Sequence, residues 1–155
     1  MNNRFMHRAV ELARKGMNGN HGGPFGCVIE KNGEIIGEGF NRVISSNDPT
    51  AHAEVVAIRN ACEHLGNFQL NGCAIYTTCE PCPMCLGAIY WARPERVYYA
   101  ANRHDAADAG FDDSFIYAEL KVADNERSIS MTPLQRDEAL GLFEEWGAME
   151  HKQLY

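Results

Sequence analysis

The sequence contains no run of 18 apolar residues, so no transmembrane helix is expected. Behind Met1-Asn2-Asn3-Arg4 there is no apolar stretch, so no secretory signal is expected, and the protein is expected in the cytoplasm. Positive charge is scarce: 14 Lys and Arg stand against 21 Asp and Glu, a net charge of −7. Such a balance suits a protein that gains affinity by neutralising phosphates poorly, although it leaves room for a local basic groove. The pairing of low hydrophobicity with high charge that marks disordered chains is missing too. Hydrophobic residues make up 45% and charged residues 23%, ordinary for a globular protein. There is no internal repeat, low-complexity tract or linker. The 155 residues therefore read as one domain, 1–155, large enough to bury a core without disulfides.

Cysteine, by contrast, is plentiful. Cys27, Cys62, Cys73, Cys79, Cys82 and Cys85 make six, three of them within seven positions. In a chain with no sign of export, clustered cysteines point to metal ligands or reactive thiols rather than to a disulfide framework. Cys27, Cys62 and Cys73 lie in apolar stretches and read as small core residues.

Hydrophobic periodicity predicts a helix over 4–15, stopped by Gly16. Residues 25–31 and 34–43 read as strands around Asn32-Gly33, the strongest short hairpin signal. After a loop at 45–49 come a helix over 52–65, a strand over 73–78, a helix over 83–92 and a strand over 96–101. Pro83 suits the first turn of its helix and Pro94 falls just beyond its end. Residues 114–121 and 134–149 read as further helices. A hairpin followed by strand–helix–strand alternation argues for an α/β sandwich whose sheet is partly parallel.

The chemistry concentrates in His52-Ala53-Glu54 and Pro81-Cys82-Pro83-Met84-Cys85. With Cys82 at a helix start, Cys85 lies on the same face one turn on. The positive end of the helix favours both thiolates. In mid-helix, His52 and Glu54 would diverge by about 200°, but at a helix N-terminus both reach a site lying off its end. One imidazole and two thiolates suit Zn²⁺, and three protein ligands leave the fourth tetrahedral position open, as catalytic zinc requires. Glu54, beside a ligand, is then placed as a proton shuttle. Two other arrangements remain open at this point. Cys79 could close the zinc as a fourth, structural ligand. The run Cys79-x-x-Cys82-x-x-Cys85 also begins like an iron–sulfur motif, which wants a cysteine at position 89 where Ile89 stands. A redox C-x-x-C would leave His52-Ala53-Glu54 unexplained.

The two segments match the H-x-E…P-C-x-x-C signature of the zinc nucleobase deaminases. The sequence resembles the cytidine/deoxycytidylate deaminase superfamily over nearly its whole length, and within it the bacterial guanine-deaminating branch. Gly22-Gly23-Pro24-Phe25-Gly26, Asn47-Asp48-Pro49-Thr50-Ala51-His52-Ala53-Glu54 and Cys79 through Ile89 carry the general resemblance. Ala109-Gly110-Phe111-Asp112-Asp113-Ser114-Phe115-Ile116-Tyr117 and Tyr155 carry the leaning toward guanine. The resemblance implies a three-layer α/β/α sandwich with a mixed five-stranded sheet. It implies zinc on His52, Cys82 and Cys85, with Glu54 as proton shuttle. It also implies base contacts from Asn41, Phe25 and Asp113. Each of these has a plainer alternative. Asn41 could be a strand-end turn residue, Phe25 a core aromatic, and Asp113 a solvated or capping charge before Ser114. The resemblance further implies a homodimer in which about residues 134–155 cross to the partner and Tyr155 covers the partner's site. The alternative is a frayed polar tail.

The expected activity is hydrolysis of guanine, a small purine, to xanthine and ammonia. A tRNA adenosine deaminase shares the zinc signature but needs a basic surface for RNA. Residues 137–150 carry Asp137, Glu138, Glu144, Glu145 and Glu150 and no Lys or Arg, so no nucleic-acid partner is expected. Guanosine as substrate and a non-catalytic zinc scaffold stay open.

Overall fold

The computed structural model describes residues 3–155, which divide into two compact units, one ending at Asp113 and the other running from Ser114 to Tyr155. The first unit opens with α1 (Arg4–Asn18), whose buried face is Phe5, Ala9, Leu12, Ala13 and Gly16. Gly16 does not stop this helix as its residue type suggests. It is buried against Phe40, whose Cδ2 would lie 2.7 Å from any added Cβ, and the helix closes three residues later at Gly19.

The strands β1 (Gly26–Lys31) and β2 (Glu34–Phe40) pair antiparallel across the Asn32-Gly33 turn. Both turn residues have positive φ, +53° and +86°, as the expected tight hairpin turn demands. β2 ends at Phe40 rather than 43, because Val43–Ser46 forms one helical turn, α2. Then follow α3 (Ala53–Leu65), β3 (Cys73–Cys79), α4 (Pro83–Ala92) and β4 (Arg96–Ala101). The sheet order is β2-β1-β3-β4, with β1 antiparallel to β3 and β3 parallel to β4.

Helices cover both faces of this sheet. On one, Val28 packs with Phe5, Ala9 and Leu12 of α1. On the other, Cys27, Ile29 and Ile75 pack with Ala53, Ala57 and Ala61 of α3 and with Ile89 and Ala92 of α4. The close fit of α3 depends on Gly39: a Cβ there would lie 2.3 Å from the Ala53 carbonyl oxygen. Cys27 and Cys73 are buried and Cys62 packs against the same core, so these three thiols serve as small apolar side chains.

The layered mixed α/β architecture matches the expectation, but the sheet has four strands among the described residues, not five. Past Ala101 the chain turns helical at once. Asn102 accepts from the backbone N–H groups of His104 and Asp105, Asp105 returns a bond to the Asn102 N–H, and α5 (Arg103–Asp108) follows. A capping box of this kind commits the backbone to a helix where another strand would have to start.

The second unit holds α6 (Ser114–Glu119), a 3₁₀ turn at Asp124–Glu126 and α7 (Arg136–Ala148). Within it, Arg127 pairs with Asp124 and donates to the Glu119 carbonyl, while the Glu119 carboxylate accepts from the Ser128 N–H. α7 buries none of its residues: Leu140, Leu142, Phe143 and Trp146 are all exposed.

Candidate active site

Two helix N-termini and one strand meet at the site. His52 is the N-cap of α3, with extended backbone (φ −67°, ψ 156°), and Glu54 lies in the first turn. That switch from extended to helical backbone lets two residues only two apart reach the same place. Cys82 is the N-cap of α4, again extended (φ −64°, ψ 167°), with Pro83 opening the helix and Cys85 in its first turn. Pro favours this position because its missing N–H has no helical partner there anyway.

The Nδ1 of His52 lies 3.6 Å from Cys82 Sγ and 3.5 Å from Cys85 Sγ. All three donor atoms fall within 4.8 Å of one another, the one such cluster among the described residues. One imidazole and two sulfurs at the positive ends of two helices fit Zn²⁺ in both chemistry and charge. Donation from the Cys85 thiol, and then from His52, brings Cys82 down to about 4. Cys85 is held well above the ordinary thiol range by its bond to Cys82 and by burial. His52 is raised, first by its bond to Cys82.

Glu54 is 6% exposed, unusual for a carboxylate and reason to look for a role beyond surface charge. Its Oε2 accepts from the Cys85 thiol at 3.5 Å and its Oε1 from the Thr77 hydroxyl at 3.2 Å. Burial raises its pKa. Cys79 lies outside the three-residue cluster. Its thiol faces the backbone oxygen of Asn102 at 3.7 Å, and burial pushes it up to about 11. A closed set of four ligands is therefore not assembled among the described residues.

The other expected residues fall in different places. Asn41 is buried just after β2, where its Oδ1 accepts from the Val43 N–H at 3.2 Å. Asn41 thus takes the turn-forming part that its place at the strand end allows. Gly22 packs directly on this amide: a Cβ there would sit 2.0 Å from Asn41 Oδ1. Phe25 touches the core and also meets Phe111 edge-on, ring centres 4.9 Å apart at 84°. The Asp113 carboxyl is raised by partial burial and then by the negative charge of Cys82. Tyr155 belongs to the second unit and is 70% exposed. Tyr90 and Trp91, on α4, are 75% and 64% exposed and so do not belong to the core.

Sequence reasoning missed Thr77, Gly22 and Phe111 as parts of this neighbourhood. Thr77 left a signal: it is the lone hydroxyl in the buried row Cys73, Ile75, Thr77, Cys79 of an alternating strand.

These features define a zinc deaminase site, and the family model described as the cytidine and deoxycytidylate deaminase zinc-binding region matches residues 1–101. The chain belongs to the cytidine and deoxycytidylate deaminase family. It is 58% identical to the guanine deaminase of Bacillus subtilis over 151 residues, 97% of each chain. The X-ray structure of the Bacillus subtilis guanine deaminase superposes with a TM-score of 0.97, covering 100% of this chain and 99% of that one at 56% identity. The guanine deaminase from Nitrosomonas europaea is more distant: 29% identity, TM-score 0.70, covering 96% of this chain and 86% of that one. A tRNA-specific adenosine deaminase of Agrobacterium fabrum is 49% identical, but over 79 residues only, 51% of this chain and 52% of that protein. No helix among the described residues is long and apolar enough to cross a membrane.

Proposed function

We propose that this chain catalyses the hydrolytic deamination of guanine to xanthine and ammonia. The observation that carries the reading is the buried Glu54 carboxylate beside His52, Cys82 and Cys85, in a chain 58% identical over 97% of its length to a guanine deaminase. His52, Cys82 and Cys85 would hold zinc, which when bound would supply Lewis acidity and lower the pKa of water to about 7. Glu54 takes a proton from the attacking water and passes it to a ring nitrogen of the base. The water oxygen bonds to C2. Glu54 then takes the second proton from the oxygen now on C2 and delivers it to the C2 amine; the C–N bond breaks, ammonia leaves and the carbonyl of xanthine forms.

Asn41 donates from its NH₂ to an acceptor on the purine edge, Phe25 packs on the ring, and Asp113 accepts from the N–H groups that guanine presents. We also infer a cytoplasmic homodimer in which about residues 134–155 cross to the partner and Tyr155 covers its site. The exposed apolar side chains of α7 support this, since a helix with no buried face needs a surface to rest on. The six cysteines, all free, suit a reducing compartment. No nucleic-acid partner is proposed. The similarity to the tRNA enzyme covers half the chain, and residues 137–150 carry no Lys or Arg.

The test offers guanine, guanosine, cytosine, cytidine, adenine and a tRNA anticodon stem-loop to the zinc-loaded chain and measures ammonia. Fast release from guanine is the expected result. Release from guanosine or the stem-loop instead would overturn the substrate assignment while keeping the reaction type.

A further inference from the structure

We infer that Thr77 is a positioning residue for the proton-shuttling carboxylate of Glu54, an inference that rests on the function proposed above. Thr77 lies on β3, opposite Cys27 of β1, and is 1% exposed. Its neighbours in the buried row are Ile75 and Cys79, so its hydroxyl is a polar group in an apolar wall. Such a group is kept where its hydrogen bond does something, because burying a hydroxyl without a partner is unfavourable. Its partner is Glu54 Oε1, at 3.2 Å.

Among the described residues two side chains donate to Glu54, and one of them keeps its proton through metal binding. The Cys85 thiol donates to Oε2 at 3.5 Å, but a cysteine that ligates zinc does so as the thiolate and has no proton left to give. Thr77 then remains as the side-chain donor to the carboxylate. A hydroxyl also suits a group that changes protonation state. It donates to Oε1 when Glu54 is ionised, and it turns to accept when Oε1 carries the proton. Anchoring from a rigid central strand thus holds the carboxylate at one place while the proton comes and goes. Misplacing a catalytic group by about 1 Å can cost about a hundredfold in rate.

The experiment compares the zinc-loaded chain with Thr77→Val, which keeps the shape and removes the hydroxyl, and with Thr77→Ser, which keeps the hydroxyl. Zinc content, melting temperature, kcat and KM for guanine are measured on each. Thr77→Val is expected to bind zinc fully, keep its KM and lose about ten- to a hundredfold in kcat. Thr77→Ser is expected to restore most of that kcat. Crystal structures of the loaded proteins supply a readout independent of turnover. Glu54 should hold one rotamer in the native chain and in Thr77→Ser, and spread over several in Thr77→Val. Thr77→Val with native kcat and a single native Glu54 rotamer would overturn the inference. If Thr77→Val does not fold, Thr77→Ala against Thr77→Ser asks the same question, and equal kcat at equal zinc content would overturn it. A native zinc-loaded chain that releases no ammonia from guanine would instead defeat the proposed reaction, and the rotamer comparison would still decide the role of Thr77.

Discussion

At the scale of single residues, the site is arranged by opposing demands on charge. A carboxylate that is 6% exposed and two thiols share a few ångströms, an arrangement that metal-free water-excluding surroundings disfavour. A divalent cation held by His52, Cys82 and Cys85 would offset that cost, and the carboxylate would then serve in proton transfer rather than ligation. Glu54→Gln should therefore keep zinc at the native level while kcat falls by about 10²–10⁴, the usual range for removing a general acid–base group. Zinc analysis and steady-state rates on one sample check this. A near-native rate in fully loaded Glu54→Gln would remove Glu54 from the mechanism. That His52, Cys82 and Cys85 gather, with Glu54 beside them, was legible in the sequence because the two short spacings place them at helix starts. The surroundings of Asn41 were not. Nothing in a single asparagine tells that its oxygen is committed to the Val43 N–H, since that bond depends on where β2 ends.

At the scale of elements, the donors owe their places to two helix starts set against one sheet. α3 begins where Gly39 lets its backbone come close to β2. Gly39→Ala would drive a Cβ into the Ala53 carbonyl and push His52 and Glu54 away from Cys82. Overpacking of this kind costs about 1–3 kcal/mol. It should lower Tm by about 2–10 °C. Zinc affinity should fall as well, by direct titration, while a variant with native zinc affinity would show that α3 is not what aims His52. Most elements followed from pattern and punctuation: Asn32-Gly33 and Pro83 mark their boundaries as expected. Four features escaped. The apolar run to Val43 reads as strand, but Val43–Ser46 turns helical and β2 ends at Phe40. Gly16 reads as a stop but is a contact with Phe40, which is a tertiary fact. α5 escaped although Asn102 and Asp105 carry a capping-box signal, because the segment is short and has no apolar stripe. The five-stranded sheet was inferred from resemblance rather than from residues, and the residues themselves mark four strands.

For the whole molecule, the exposed apolar side chains of α7 call for a surface to cover them. A crossed homodimer predicts twice the chain mass by light scattering. It predicts that a chain ending before residue 134 loses most activity on guanine yet still binds zinc, since every proposed ligand lies before Ser114. A fully active monomer would dismiss the exchange. The sequence suggested a role for this segment only through resemblance, because an amphipathic helix shows that it needs a surface without showing whose.

We propose that zinc binding and guanine deamination are one property of the His52–Cys82–Cys85 cluster. It is tested most directly by stripping the metal with a chelator, adding zinc back stepwise, and measuring bound zinc and ammonia release from guanine at each step. Release should rise in proportion to bound zinc and level off at one equivalent per chain, as expected for a single cluster. One equivalent of bound zinc with no ammonia released would mean that the metal here is structural and the account of the site is wrong.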